Sequence, residues 1–300
     1  MTENHYITEK IKSLGLCSTV HHIKSLSGGS ISQAAKYTTD KGDFFVKTNR
    51  DSEAYKWFKA ESLALERINR AVPGFAPRPI HYQESSTDYE QAFIVTEYVP
   101  MAGKASGHDI QEKLGISLAQ MHSKGTSEKF GFNVTSYCGT TELDNSWCTD
   151  WCQFWCKQRM EPLFNQVRGR NKDIDRYGKE LCSRMEHWLG PDVLPNIKPA
   201  LLHGDLWSGN WAVHANTNQP IIFDPAVYYG HNEAEFGMMK MFGGVSQACF
   251  DAYDDISETP VIEGREERVM IYELYHHLNH YAMFGGSYAS GCIDIMERLL

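Results

Sequence analysis

Between residues 201 and 224 the chain reads Leu201-Leu202-His203-Gly204-Asp205-Leu206-Trp207-Ser208-Gly209-Asn210 and then, after a polar break, Ile221-Ile222-Phe223-Asp224. Phosphoryl transfer from a nucleoside triphosphate asks for such residue types. A carboxylate orients the acceptor hydroxyl and takes its proton, while hard oxygen ligands hold magnesium against the polyphosphate. The order matches the kinase pattern His-x-Asp-x-x-x-x-Asn followed by a metal-binding Asp. Asp205 is therefore the expected base, with Asn210 and Asp224 as expected metal ligands. Each alone would pass for a turn residue, so the signal lies in the spacing.

That chemistry requires a nucleotide clamp, and the first hundred residues contain its parts. Ser27, Gly28, Gly29, Ser30, Ile31 and Ser32 lie between two strand candidates, where small residues let backbone N–H groups approach phosphate oxygens. A Gly-Gly hairpin by itself is common, and most bind nothing. Lys47 ends the strand-like Phe44-Phe45-Val46, in place to reach the α- and β-phosphates, and Glu61 on the following helix is its expected partner, in competition with Glu53 and Glu66. The apolar run Phe93-Ile94-Val95-Thr96 leads into Glu97, Tyr98 and Val99, whose backbone groups are candidates for adenine; a plain core strand reads the same way.

The elements that must position these groups follow from periodicity and turn residues. A helix is expected over residues 7–16, strands over 23–26, 31–39 and 44–47, an amphipathic helix over 52–70, and further strands over 80–82 and 92–99. Beyond Pro100 the pattern becomes helical over 110–123, 147–166, 173–189 and 266–284, with a hairpin of 211–213 and 221–223. The expectation is an α+β, two-lobed, protein-kinase-like fold. Residues 1–99 form a nucleotide-clamping lobe of antiparallel sheet with a helix, and 100–300 a larger, mainly helical catalytic and substrate-binding lobe.

Composition narrows the function classes. At 42% hydrophobic and 22% charged residues the chain has globular composition, and its formal net charge of −9 disfavours a non-specific nucleic-acid binder. No apolar run approaches bilayer length and the start lacks a secretory signal, so no membrane role is expected. Eight cysteines without small-scaffold spacing suit a reducing compartment, and the cytoplasm is the expected location.

Taken together these strings resemble the fructosamine (ketosamine) 3-kinases, relatives of the aminoglycoside phosphotransferases and protein kinases. The resemblance rests on Ser27 to Ser32, Phe45-Val46-Lys47, the string Leu202 to Asn210, Phe223-Asp224-Pro225-Ala226, and Tyr272-Glu273-Leu274-Tyr275-His276-His277-Leu278-Asn279-His280. The His-Gly-Asp-Leu-Trp-Ser-Gly-Asn string is far more specific than the generic kinase pattern. It implies ATP- and Mg2+-dependent phosphorylation of the 3-hydroxyl of a ketose joined to an amine, either a small molecule or a sugar on a protein lysine. Such a phosphate leaves readily beside an enolisable carbonyl and releases the amine, so the implied role is deglycation. Asp224-Pro225-Ala226 stands where protein kinases carry Asp-Phe-Gly, which argues against a regulated activation loop. Ser30 stands where some members carry Cys, which argues against a disulfide-switched phosphate loop.

On the acceptor side, Trp207 lies two residues beyond the expected base and offers a flat apolar face, or else supports the loop from the core. Trp147, Trp151 and Trp155 recur at i+4, as do Cys148, Cys152 and Cys156, which reads as two stripes packing on one helix rather than as a zinc site. Asp150 and Trp151 are candidate substrate contacts, Asp150 through the amine. His276 and His280 have two-His metal spacing, but His277 stands where a zinc protease needs Glu. The resemblance instead places Asn279 and His280 on the cleft wall, with His280 a candidate hydrogen-bonder to sugar, or else a satisfied structural histidine. Two other readings remain open: a kinase of another small alcohol, such as an aminoglycoside or choline-like compound, and a nucleotide-binding pseudokinase. The presence of Lys47, Asp205, Asn210 and Asp224 together opposes the latter.

Overall fold

A computed structural model describes residues 3–26, 32–84, 91–102 and 107–300. The first half-lobe comprises α1 (Glu3–Ser13), β1 (Val20–Leu26), β2 (Gln33–Thr39), β3 (Gly42–Asn49), α2 (Ala54–Ala71), β4 (Pro79–Gln83) and β5 (Ala92–Glu97). The strands form one antiparallel sheet in the order β1-β2-β3-β5-β4. Both faces are covered, and the period-2 alternation of strand side chains decides which residue serves which face. Tyr37, Phe44, Val46, Phe93 and Val95 pack with Ile7, Ile11 and Cys17 on the α1 side. Ala92 and Ile94 pack with Ala54 and Phe58 on the α2 side. Lys47, next to Val46 and opposite Ile94 in the register, is thereby turned toward α2.

The remainder is mainly helical. In chain order it contains α3 (His108–Lys124), the hairpin β6 (Ser136–Cys138) and β7 (Thr141–Leu143), α4 (Trp151–Trp155), α5 (Glu161–Val167), α6 (Lys172–Arg184) and α7 (Glu186–Leu189). Then come β8 (Ala200–Leu202), β9 (Trp211–Val213), β10 (Pro220–Ile222), β11 (Tyr228–Gly230), α8 (Ala234–Met241), α9 (Gln247–Ile256), α10 (Arg265–Phe284) and α11 (Tyr288–Leu299). One large core joins these helices, and Ala64, Leu65 and Ile68 of α2 belong to it. The Ile222 N–H also donates to the Phe75 carbonyl at 2.9 Å. Packing is thus continuous where the sequence pattern changes near residue 100.

Two expected helices are divided. The stretch over 147–166 begins only at Trp151, because Asp150 accepts from the Gln153 N–H at 2.6 Å and caps α4. It then loosens into a π-helical turn at Cys156–Met160 before α5. Trp147 lies outside the helix, 43% exposed and stacked on Tyr229, so the Trp and Cys series do not share one helical face. The stretch over 173–189 is divided at Met185 into α6 and α7. The predicted 211–213/221–223 hairpin is present as β9 and β10.

Candidate active site

Strands β8 and β11 pair antiparallel through Leu202 and Tyr228, and the loop 203–210 leaves β8 to return as β9. Its first residues are held from below. Glu235, 1% exposed on α8, accepts from the His203 N–H at 2.6 Å and the Gly204 N–H at 3.0 Å. Burial alone would raise its pKa, but the His122 ring beside it and the His203 N–H outweigh burial and hold the carboxyl below its ordinary range. His203 Nε2 donates to the Phe223 carbonyl at 2.9 Å, and its Nδ1 accepts from the Asp205 N–H at 3.2 Å, which defines the neutral Nε2–H tautomer. Gly204 has φ +79°, and a Cβ there would stand 2.4 Å from the Ala226 carbonyl oxygen, so the turn admits only glycine.

Asp205 and Asn210 are hydrogen-bonded, and Asp224 is near enough for its charge to act on Asp205. Asn210 Nδ2 donates to the Asp205 carbonyl at 2.8 Å and to Asp205 Oδ2 at 3.0 Å. That commits the amide nitrogen and leaves Oδ1 as an oxygen donor. Burial pushes the Asp205 carboxyl up to about 8; the Asn210 hydrogen bond opposes this and the negative charge of Asp224 adds to it. Asp224 takes a left-handed backbone conformation at φ +57°, uncommon outside glycine, two residues after the end of β10.

Lys47 joins this group from the sheet. Its Nζ lies 2.8 Å from Glu61 Oε1 and also contacts Asp224 Oδ1. Of the three acidic residues weighed for this pairing, the structure selects Glu61. Glu53 instead contacts Lys56, and Glu66 bonds Arg70 at 2.8 Å. Burial works to lower the Lys47 pKa, yet the Asp224 and Glu61 carboxylates outweigh it and hold the ammonium above its ordinary value. The Lys47 ammonium, the carboxyl groups of Glu61, Asp224 and Asp205, and the Asn210 amide are thus linked in one cluster, an arrangement suited to gripping a metal-bound polyphosphate.

Elsewhere the fit differs by residue. Ser27, Gly28, Gly29, Ser30 and Ile31 lie outside the described residues, while Ser32 Oγ accepts from Asn49 Nδ2 at 3.1 Å. The Glu97 N–H bonds the Arg78 carbonyl at 3.0 Å and the Tyr98 N–H bonds the Asp43 carbonyl at 3.2 Å, so these two donors are used within the fold. Trp207 is half-buried; its ring covers Gly209, where a Cβ would meet it at 2.3 Å, and sits 5.6 Å from Phe242. Phe242 in turn packs edge-on against His280 at 5.1 Å. His280 Nδ1 donates to the His276 carbonyl at 2.8 Å, leaving Nε2 for another partner. Trp151 is 3% exposed, enclosed by Phe130, Phe154, Trp155 and Tyr272, with its Nε1 donating to Tyr272 Oη at 2.9 Å. Asp150 thus caps α4 through Oδ1 and Trp151 packs into the core, and both line a cleft with Phe130 and Leu194. Asn279 is buried as well, its Oδ1 accepting from Thr141 Oγ1 at 2.5 Å.

The fructosamine kinase family model matches residues 3–300. The chain belongs to the fructosamine kinase family. It is 38% identical over 300 residues to a protein-ribulosamine 3-kinase, chloroplastic, of Arabidopsis thaliana, covering 98% of this chain and 87% of the relative. It is 35% identical over 309 residues to a ketosamine-3-kinase of Mus musculus, covering 94% and 96%. Among solved structures, a candidate fructosamine-3-kinase from Thermobifida fusca superposes with a TM-score of 0.81 at 24% identity, covering 98% of each chain. The two-lobed kinase-like fold expected from the sequence is the one observed.

In this fructosamine kinase family member the carboxylate under the 203–210 loop was missed by motif reading. The available signal was an acid in the apolar run Ala234-Glu235-Phe236-Gly237-Met238-Met239, since a charge on a buried helix needs a partner. Glu235→Gln keeps the size but offers an amide donor where two N–H groups need acceptors. The expected loss is about 2–3 kcal/mol of stability, read by denaturant unfolding, with kcat reduced roughly tenfold or more as Asp205 loses its placement.

Proposed function

We propose that the protein is an ATP- and magnesium-dependent ketosamine 3-kinase. The observation that carries this reading is the convergence of Asp205, Asn210 and Asp224 on the Lys47–Glu61 pair in a fructosamine kinase family chain. Asp205 accepts the proton of the acceptor 3-hydroxyl and aims its oxygen at the γ-phosphorus. Lys47, held by Glu61, binds the α- and β-phosphates, with Ser27, Gly28, Gly29, Ser30, Ile31 and Ser32 assigned from sequence to the loop over them. Adenine takes the backbone edge of Glu97, Tyr98 and Val99; with the Glu97 and Tyr98 N–H groups already used, Val99 supplies the donor. The oxygen set of Asn210 Oδ1 and the Asp224 carboxylate fits magnesium, a hard cation, which when bound neutralises charge on the phosphates. Trp207 lies under the sugar and His280 Nε2 faces its hydroxyls. In this proposal residues 1–99 clamp the nucleotide and 100–300 supply base, metal ligands and acceptor site.

Phosphate placed on O3 departs readily once the neighbouring carbonyl enolises, so the product releases its amine, free or protein-bound. A cytoplasmic location fits, and among the described residues no helix is long and apolar enough to cross a membrane. An acceptor panel tests the substrate class: kcat/KM for ribulosyl-lysine or fructosyl-lysine should exceed that for an aminoglycoside or choline by at least about 10³, the scale set by polar groups left unpaired with a wrong acceptor. Comparable rates for choline or an aminoglycoside would reject it.

The pH dependence follows from Asp205. Protonated, it cannot take the hydroxyl proton, so activity falls toward acid. kcat/KM for ATP reports the free protein and should show an acid limb near 8. The limb in kcat should lie lower, because cation binding beside Asp224 cancels part of the negative charge that raises Asp205. Coincident limbs in the two profiles would contradict this assignment.

A further inference from the structure

The β6–β7 hairpin carries a thiol against the expected base. Cys138, 2% exposed at the end of β6, receives the Asn279 Nδ2 hydrogen bond on its carbonyl at 3.3 Å, which fastens the hairpin to α10. His276, 3% exposed, lies one turn earlier on that helix. One donor atom each from Cys138, Asp205 and His276 lie within 4.8 Å of one another. Phosphoryl transfer uses neither a thiol nor an imidazole here, and His276 Nδ1 is buried without a hydrogen-bond partner. The sequence spacing pairs His276 with His280, but the donor atoms that cluster with His276 come from Cys138 and Asp205.

We propose that Cys138, His276 and Asp205 form an inhibitory site for zinc and similar borderline-soft divalent cations, which stops turnover by taking the base carboxylate as a ligand. One sulfur, one nitrogen and one oxygen with a fourth position open is a donor set that suits zinc. Magnesium prefers hard oxygen ligands and does not compete for it. Zinc with bonds of about 2.0–2.3 Å spans donors roughly 3.3–3.8 Å apart, so side-chain movements of about 1 Å close the site. Burial holds His276 down to about 3, which keeps its ring neutral and its lone pair available. Burial also holds the Cys138 thiol well above its ordinary value, so zinc must displace its proton and any proton on the Asp205 carboxyl: the S–H and O–H bonds break, S–Zn and O–Zn bonds form and the protons go to solvent. Binding therefore strengthens as pH rises. The inhibitory consequence rests on Asp205 being the base, whereas metal binding itself does not.

Cobalt(II) added to the full-length, nucleotide-free protein provides the direct readout, because a thiolate ligand gives a near-ultraviolet charge-transfer band. The band is expected in the wild type and in Cys152→Ser/Cys156→Ser, and absent in Cys138→Ser. With free zinc held by a metal buffer, half-inhibition should need at least tenfold more zinc in Cys138→Ser and in His276→Gln, and raising the acceptor rather than MgATP should relieve it. His276→Gln stands in should the Cys138 variant not fold. A band that persists in Cys138→Ser, or zinc sensitivity unchanged in His276→Gln, overturns the proposal. Should ketosamines prove not to be the acceptors, the cobalt result is unaffected; should the band be missing while ketosamine turnover is intact, the metal site alone fails.

Discussion

Asp205→Ala should lower kcat by roughly 10³-fold while leaving ATP affinity within about threefold, since a general base contributes at the transition state rather than to nucleotide binding. Turnover is followed by coupled ADP release and affinity by calorimetry; a kcat within tenfold of wild type would remove Asp205 from the base role. The amide variant adds a thermodynamic signature. Burial holds the folded-state pKa of Asp205 near 8, above its ordinary 3.8. A carboxyl raised in this way contributes stability that is fully present below the unfolded value and is lost as pH climbs through the folded one. Asp205→Asn has no such titration. Its stability relative to wild type should therefore grow between pH 4 and 8 and level off above, by a few kcal/mol on the order set by linkage, as measured by unfolding without nucleotide. A constant offset across that range would mean that Asp205 is not held protonated.

Asp224→Asn has the second large effect. Asp224 contacts the Lys47 ammonium, stands beside Asp205, and carries the carboxylate proposed for magnesium. Exchanging it for an amide removes the charged metal ligand and one of two anions around Lys47. kcat should fall by roughly 10²–10³-fold, the scale seen when a preorganised charge is removed from a transition state. The magnesium concentration for half-maximal rate should rise at least tenfold. Removal of the Asp224 charge also lowers Asp205, so the residual activity should show its acid limb at lower pH than wild type. A magnesium titration at several pH values reads both effects, and an unchanged magnesium requirement would place the metal elsewhere.

The string from His203 to Asn210 stood out in the sequence because phosphoryl-transfer chemistry fixes both the residue types and the interval from Asp205 to Asn210, and because β10 ends before Asp224. Lys47 could be located because period-2 alternation in β3 leaves it on the face opposite Val46, toward α2. Glu61 could not be chosen over Glu53 and Glu66 without the structure, since all three lie at the start of or within one helical stretch and only tertiary packing selects among them. The three-residue strands β6 and β7 are too short to display a period, so the hairpin carrying Cys138 left no sequence signal. Tryptophans 147, 151 and 155 misled in the opposite way: their spacing is helical, but Asp150 starts the helix between the first and second. Helices α8, α9 and α11 also escaped, because α8 is apolar nearly all round and the others are short and bordered by loops rather than marked by strong caps. Glu235 matters through a contact with residues more than thirty positions away, which no local pattern reports.

The central claim is that this site transfers the γ-phosphate of ATP to the 3-hydroxyl of a ketosamine. The most direct test incubates the purified protein with MgATP and ribulosyl-lysine carrying carbon-13 in the sugar, and locates the phosphate by phosphorus–carbon coupling. The account predicts a single product with phosphate on O3, formed only with magnesium and followed by release of lysine. Phosphate on another oxygen, or ATP hydrolysis with the sugar unmodified, would contradict it.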